Sequence, residues 1–600
     1  MRTQKKPVQM IKQLRHLWFF LFICLSFCVP VAAQVTGIWA LGDGEKIFRD
    51  DLHPASKEKN YTWDGHTIRL KGLYNEVLAF QVIVTTGQKG ASGVELAITL
   101  PEHQPSGRTI GGNTLSYGPG GSLAIFTEHY LHVTDSTQPN WYYGSSAAAP
   151  RPMTGWIPDA LIPSDALPGQ GGSPIDIGAN RNQGFWVDVA LPRDQSHYPA
   201  GVYRGTVEVR EAGKLVGEIP LEISLLPHYL PDKNLTTVWL FTSNVHDYYP
   251  AMSQEQVDKM VKFEGHRHRI DVVGGFAANT RPFDEKLMDR YKPYLDGTGF
   301  TPAYGYHGPG EGVGEQIFPI GMYASPVLGT TRDTVRRQAS LWVNWFEKNA
   351  PAVKYFWYLI DEPRKDKYAW IRERAAWIHN DPGEGKRLPV FTTTAYHPEL
   401  KDAIDIWAGY DGVDLKDLPS IRQRGGDHWF YNGNRPRYGS VILEASAVDF
   451  RVDCWMMYKY NIHTYFLWEG THWDHNGQGP KRHLHQNVFN NPLTFINNGL
   501  EFGNGDGIVL YPGHMPFYPN EDRGLNRLIP SIRLNNIRRG QQDVLIMSMA
   551  AKKVGREKVL QLINSVIPRG FSEVSMDEAV PWSQHGDDYD KIRAALLDLL

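Results

Sequence analysis

The sequence predicts a multidomain β plus α/β protein: an N-terminal β-sandwich, a (β/α)8 TIM barrel, and a short helical C-terminal tail. Three observations carry that prediction. Residues 34–231 hold short apolar runs with partial alternation, broken by Gly, Pro and Asp, as antiparallel strands do. Residues 232–540 alternate strand-like with helix-like runs, the pattern of repeated βα units. Residues 541–600 show helical spacing. A chain of 600 residues also exceeds what one hydrophobic core usually supports.

Residues 1–33 read as a removable leader. Lys5, Lys6, Lys12 and Arg15 form a basic start, Leu17 to Val29 an apolar run too short to span a bilayer, and Val31-Ala32-Ala33 a small-residue cleavage site. Cleavage before Gln34 is expected, giving a secreted or periplasmic protein with no membrane association after processing. A lipid anchor at Cys28 is the rival, which the bulky Phe27 opposes. The mature chain then keeps Cys454 alone, so no disulfide within it and no cysteine metal cluster can form. Cys454 reads as a small core hydrophobe. A formal charge of −3 argues against an extended basic face, hence against a nucleic-acid partner.

In the first segment, Glu76 to Val84, Gly184 to Ala190, Gly201 to Val209 and Glu218 to Leu226 are the strand candidates. Ala147 to Pro174 is a Pro/Gly-rich excursion that could reach a neighbouring site. In the second, strands are expected at Thr236–Thr242, Ile270–Gly274, Leu388–Thr394, Ala403–Gly409 and Ile462–Glu469. Helices are expected from Ser253, Thr331, Asp366 and Ser446, the last with Asp449 as a capping partner. A doubly wound open sheet is the alternative, but no Gly-rich phosphate turn follows the first strand.

The most informative run is Val353-Lys-Tyr-Phe-Trp-Tyr-Leu-Ile-Asp-Glu-Pro363. It has no helical period and reads as a strand buried on both faces. It ends in two acids and a proline that stops the ladder. Asp361 and Glu362 are thereby expected at the carboxyl end of a barrel strand, where barrels carry their chemistry. Glycoside hydrolysis needs an acid for the leaving oxygen and a group that stabilises an oxocarbenium-like centre. The structural alternative is a helix-capping Asp beside a solvated Glu.

A second cluster closes the last strand: Phe466-Leu-Trp-Glu-Gly-Thr-His-Trp-Asp474. Trp468 and Trp473 are candidate walls for a sugar ring, and Glu469, His472 and Asp474 candidate hydroxyl partners. Glu469 could instead be the nucleophile opposite Glu362. The alternative is a core tryptophan pair beside a polar loop. With 18 Trp and 29 Tyr in the chain, most single rings are simply buried. His472, His475, His483 and His485 lack a zinc-site spacing, so no metal and no cofactor are expected. The run Tyr304 to Gly314 lacks the Lys-Ser/Thr of a phosphate loop. It is expected as a mobile loop over the barrel mouth, with Tyr306 and His307 as substrate contacts.

Tyr358-Leu-Ile-Asp-Glu-Pro363 resembles the catalytic strand of glycoside hydrolase family 123 and its relatives (domain of unknown function 4091). So do Gly505-Asp-Gly-Ile-Val-Leu-Tyr-Pro-Gly513, Ile529 to Leu534 and Ile537 to Asp543. Asn75-Glu76 ahead of a strand looks like that family's N-terminal sandwich. The resemblance implies an exo-acting β-N-acetylhexosaminidase, typically for N-acetylgalactosamine, acting on a glycan. Its mechanism would be retaining and substrate-assisted. It implies Glu362 as general acid/base and Asp361 as the group that orients the 2-acetamido substituent. Tyr396, Trp429, Trp468 and Trp473 are candidate wall residues. The predicted helical tail leaves no room for the C-terminal β-domain of characterised members. A non-catalytic glycan-binding protein is the reading from a different class.

Overall fold

The computed structural model describes residues 34–112, 117–139, 141–273, 277–323, 325–409, 412–475, 484–497 and 501–600. Residues 1–33, expected as a leader, and His483 lie outside them.

The N-terminal half is built from two sheets facing one core. The first has the order β1-β3-β9-β6-β7, from β1 (Val35–Gly42), β3 (Val77–Thr86), β9 (Asn182–Ala190), β6 (Ser122–Val133) and β7 (Gly155–Pro163). The second has the order β2-β11-β10-β4-β5, with β8 on β4. Its strands are β2 (Ile68–Tyr74), β11 (Lys214–Tyr229), β10 (Gly201–Glu211), β4 (Ala91–His103), β5 (Arg108–Thr109) and β8 (Ile175–Ile177). In β11, Ile219, Leu221, Ile223 and Leu225 are buried in alternation, as a strand with one face on the core requires. β3 is buried at every position, because the first sheet is covered on both faces. Phe80, Val82 and Val84 enter the inter-sheet core, while Ala79 packs with Phe126, Trp186, Ala447 and Ile532 toward the second half.

That second half carries an eight-stranded, all-parallel sheet ordered β13-β12-β19-β18-β17-β16-β15-β14. Its strands are β12 (Thr237–Leu240), β13 (Asp271–Val272), β14 (Ile317–Ile320), β15 (Lys354–Ile360), β16 (Val390–Thr392), β17 (Ile406–Gly409), β18 (Asp427–Tyr431) and β19 (Thr464–Leu467). The sheet curls into a nearly closed barrel. Trp239 of β12 meets Phe356, Phe391 and Trp429 across the interior at ring separations of 5.7, 6.3 and 6.4 Å. Ring on ring fills this core, a packed interior and not a pore.

The barrel differs from a regular (β/α)8 ring in two respects. Among the described residues no ladder joins β13 to β14; buried side chains close that seam instead. Asp271 accepts the Gln316 N–H at 2.7 Å, and Lys262 Nζ bridges Val272 O to the Glu315 carboxylate at 2.7 and 2.6 Å. The connection from β16 to β17 contains only the turn Pro398–Leu400 and no α-helix.

Helix starts follow their caps at two positions. Ser253 and Thr331 each accept the third backbone N–H of the helix they precede. The third differs. Asp449 begins its helix and does not cap it, because its carboxylate is taken by Arg435 at 2.8 Å.

The C-terminal segment departs most from expectation. Its main helix, Ile532–Val554, begins ahead of Gln541 and is buried along most of its length. It is not an exterior tail. Arg533 meets Asp159 of β7 at 2.7 Å, Arg538 meets Asp188 of β9 at 2.7 Å, and the Gln542 amide bonds both backbone groups of Val77. The helix therefore joins the two halves. Against its Gly540 lies Cys454, buried as expected; an added Cβ there would stand 2.7 Å from the cysteine Cβ.

Candidate active site at the carboxyl end of the barrel strands

Along β15, Phe356 and Tyr358 point into the barrel while Trp357 and Leu359 face the outer helices, the alternation of a doubly covered strand. The strand ends at Ile360, and Glu362 adopts a left-handed φ of 38°. That turn brings Asp361 and Glu362 to one cavity, of about 330 Å³, instead of leaving them on opposite faces.

Asp361 is held by neutral donors. The Tyr358 hydroxyl and the Thr393 hydroxyl both donate to its Oδ1, each at 2.6 Å. Burial raises its pKa above the ordinary carboxylate range, and these two bonds oppose the rise. Thr393 also accepts the Glu362 N–H at 2.8 Å. Glu362 is the exposed member of the pair.

The remaining walls come from distant parts of the chain: Trp141, Tyr142, Tyr323, Tyr431, Asn432, Gly433, Trp468, Phe495 and Asp506. Tyr323 donates its hydroxyl to Trp468 O at 2.9 Å. Its pKa is pushed far up, by burial first and then by Glu469 and the two cavity acids. Trp468 is fixed at both ends: its N–H reaches Asn432 Oδ1 at 3.0 Å and its indole Nε1 reaches Asp506 Oδ1 at 2.8 Å. Asp506 Oδ2 takes the Tyr142 hydroxyl at 2.7 Å. Burial raises the Asp506 pKa. The turn carrying Asp506 needs glycine after it. Gly507 has a φ of +74°, and a Cβ there would lie 2.7 Å from the Trp468 ring. Phe495 meets Trp468 edge-on at 5.5 Å and Trp141 at 5.7 Å, completing an aromatic side to the cavity.

Of the residues singled out from sequence, Asp361, Glu362 and Trp468 come together here. Others do not. Glu469 is buried outside the cavity lining; its Oε1 accepts the N–H groups of Gly470 and Thr471 at 2.9 and 3.0 Å, and burial lifts it to about 7. His472 packs behind Trp468 at 5.0 Å, its N–H on Gly507 O. Trp473 is core: its indole donates to Leu510 O at 2.8 Å and it packs on Tyr248. Trp429 plugs the barrel interior and bonds Asp427 at 3.0 Å. Tyr396 sits over Trp407 beside Arg424, outside the lining residues.

The glycine-rich run is also corrected. It leads directly into β14, and a loop entering a strand lies at the amino end of a parallel barrel, opposite the mouth. Tyr306 is buried there among Phe263, His266 and Phe300, its hydroxyl on Pro309 O at 2.5 Å. His307 is exposed beside Arg267.

Sequence reasoning missed Trp141, Tyr142, Tyr323, Tyr431, Asn432, Thr393, Phe495 and Asp506. Three had a signal: Tyr431 and Asn432 end an apolar strand ahead of Gly433, and Asp506 stands in a Gly-Asp-Gly turn. The excursion expected at Ala147–Pro174 contributes no residue to the cavity lining. Trp141 and Tyr142, which do line it, lie between β6 and β7, and the middle of Ala147–Pro174 is β7 itself.

Among the described residues, no group of three or more His, Cys, Asp or Glu could hold a metal ion, and no helix is long and apolar enough to cross a membrane. No family model and no curated protein matches the sequence. Solved structures do. A family 123 glycoside hydrolase from Clostridium perfringens, studied for glycolipid glycan hydrolysis, superposes with a TM-score of 0.63 at 13% identity, covering 94% of this chain and 98% of that one. The two share a fold. A family 39 glycoside hydrolase from Bacteroides cellulosilyticus WH2 (TM-score 0.26, 9% identity, 60% and 73% coverage) overlaps too little to support an argument. The same holds for a Bacteroides ovatus xyloglucanase (0.25, 8%, 79% and 98%).

Proposed function

We propose that this chain is an exported, retaining glycoside hydrolase, an exo-β-N-acetylhexosaminidase of the N-acetylgalactosaminidase kind that uses its substrate's own 2-acetamido group as nucleophile. The observation that carries the reading is the adjacency of Asp361 and Glu362 on one aromatic-walled cavity, the first held by Tyr358 and Thr393.

Adjacent acids are ill suited to the two-carboxylate mechanism, which sets its acids across the scissile bond from each other. They suit a reaction whose nucleophile arrives with the substrate. In the first step the acetamido oxygen attacks the anomeric carbon, Glu362 gives its proton to the departing glycosidic oxygen, and Asp361 accepts the acetamido N–H. The product is an oxazolinium-type ring. In the second, Glu362 takes a proton from water as that water attacks the anomeric carbon and reopens the ring, giving net retention. Trp141 and Trp468 offer apolar faces to the C–H face of a sugar.

The competing arrangement, with Glu469 as nucleophile, finds less support because its carboxylate bonds its own turn and does not line the cavity. A panel of aryl glycosides with and without the 2-acetamido group tests the reading. Turnover confined to the acetamido sugars is expected; equal turnover of both kinds overturns substrate assistance, and binding without turnover favours a glycan-binding protein. Export predicts a mature N-terminus at Gln34, which intact-mass measurement of the secreted protein checks.

A further inference from the structure

Thr393 stands directly after β16, fully buried, on the strand beside the one that ends in both acids. Its hydroxyl accepts a long bond from the Tyr358 hydroxyl at 3.5 Å and makes two close bonds of opposite polarity. It accepts the Glu362 N–H at 2.8 Å and lies 2.6 Å from Asp361 Oδ1. A hydroxyl owns a single proton. With a lone pair committed to the Glu362 N–H, that proton is directed to Asp361.

Tyr358 donates to the same Oδ1 at 2.6 Å. One carboxylate oxygen thus carries two donors, while Oδ2 takes no protein hydrogen bond among the described residues. The bond to the Glu362 N–H has its own consequence. Glu362 holds a φ of 38° directly before a proline. Non-glycine residues avoid that region, and the residue before a proline is further restricted. Such a conformation persists only where its surroundings over-determine it, and Thr393 is the neighbour that pins its amide.

We propose that Thr393 is a positioning residue that sets both acids at once. It fixes Asp361 with Oδ2 left for an amide N–H entering the cavity, and it pins the backbone turn that delivers the Glu362 carboxyl to the same cavity. The amide belongs to the acetamido substrate class, so this inference rests on the reading in the preceding subsection.

Thr393→Val removes the hydroxyl with little change in shape, and Thr393→Ser keeps it. In the valine variant kcat on an acetamido aryl glycoside falls roughly 10²-fold, the scale of a displaced reacting group, with a smaller change in KM. The acid limb of its pH profile moves to higher pH, because ionised Asp361 has lost a donor. Serine restores both. Unchanged kcat and acid limb in folded Thr393→Val would overturn the proposal, as would a serine variant as impaired as the valine one. If the wild type hydrolyses no glycoside, the functional reading fails. The positioning role is then read from the ¹³C titration of the Asp361 carboxyl: a rise in Thr393→Val reversed in Thr393→Ser supports it, and identical titrations overturn it.

Discussion

Two settings of carboxylates stand in contrast in this molecule. At the barrel mouth, Asp361, Glu469 and Asp506 are bonded by tyrosine, threonine and tryptophan donors or by backbone N–H groups, and none joins an ion pair among the described residues. Around the Ile532–Val554 helix, Asp159, Asp188 and Asp543 each lie 2.7 Å from an arginine. Glu469 and Asp506 are buried like the arginine-paired acids and Asp361 is half-buried; the cations are what differ. Burial raises the pKa of all three mouth acids. It would raise Asp159 as well, but Arg533 overcomes it and holds that carboxyl below its usual range. An acid locked to arginine stays ionised and braces the fold. An acid held by neutral donors has no fixed cation to hold it ionised, so burial leaves its pKa raised.

The sharpest way to break this contrast is Glu362→Gln. Turnover should fall by roughly two to four orders of magnitude, the scale of a general acid, with the melting temperature nearly unchanged. A variant that keeps its activity would remove Glu362 from the chemistry. Next comes Arg533→Met, which strands the Asp159 charge in the interior. A loss of about 3–5 kcal/mol is expected from denaturant unfolding. The double change Asp159→Leu with Arg533→Met should recover much of it.

Glu128 supplies a third setting. It is buried on β6, neither carboxylate oxygen is hydrogen-bonded among the described residues, and burial pushes it to about 8 from an ordinary 4.5. The unfolded chain therefore releases this proton first as pH rises, and stability drains between pH 4.5 and 8. Glu128→Gln should gain ~1–3 kcal/mol at pH 8 and little at pH 4; an equal gain at both would show that ionisation is not the cause. The smallest effect is expected of Glu469→Gln: a loss of less than about tenfold in turnover, short of the general-acid scale. A collapse matching that of Glu362→Gln would return Glu469 to the chemistry.

Much of this was legible in the sequence where one strand decided it. The unbroken apolar run into Asp361 and Glu362 can hardly be anything but a covered strand, and its end has only one place to go. Depth along a strand was not legible. Trp429 and Tyr431 share a face, but two residues advance about 6–7 Å, so the first plugs the barrel and the second reaches the mouth. Trp141 and Tyr142 were hidden for another reason: they reach the site through tertiary docking, which no local pattern records. The Ile532–Val554 helix was misjudged because Arg533, Arg538, Arg539 and Asp543 look like surface residues, yet each is buried by a partner far away in the chain.

The Tyr142–Asp506–Trp468 clamp ties the cavity to assembly. One wall belongs to the N-terminal sheets and the floor to the barrel, so the binding surface exists only after the two halves have docked. Whatever fills it must then act as an adhesive between them. By mass action, a ligand at a hundredfold excess over its Kd adds about 2.7 kcal/mol to the folded, docked state, and the rise in melting temperature gauges occupancy.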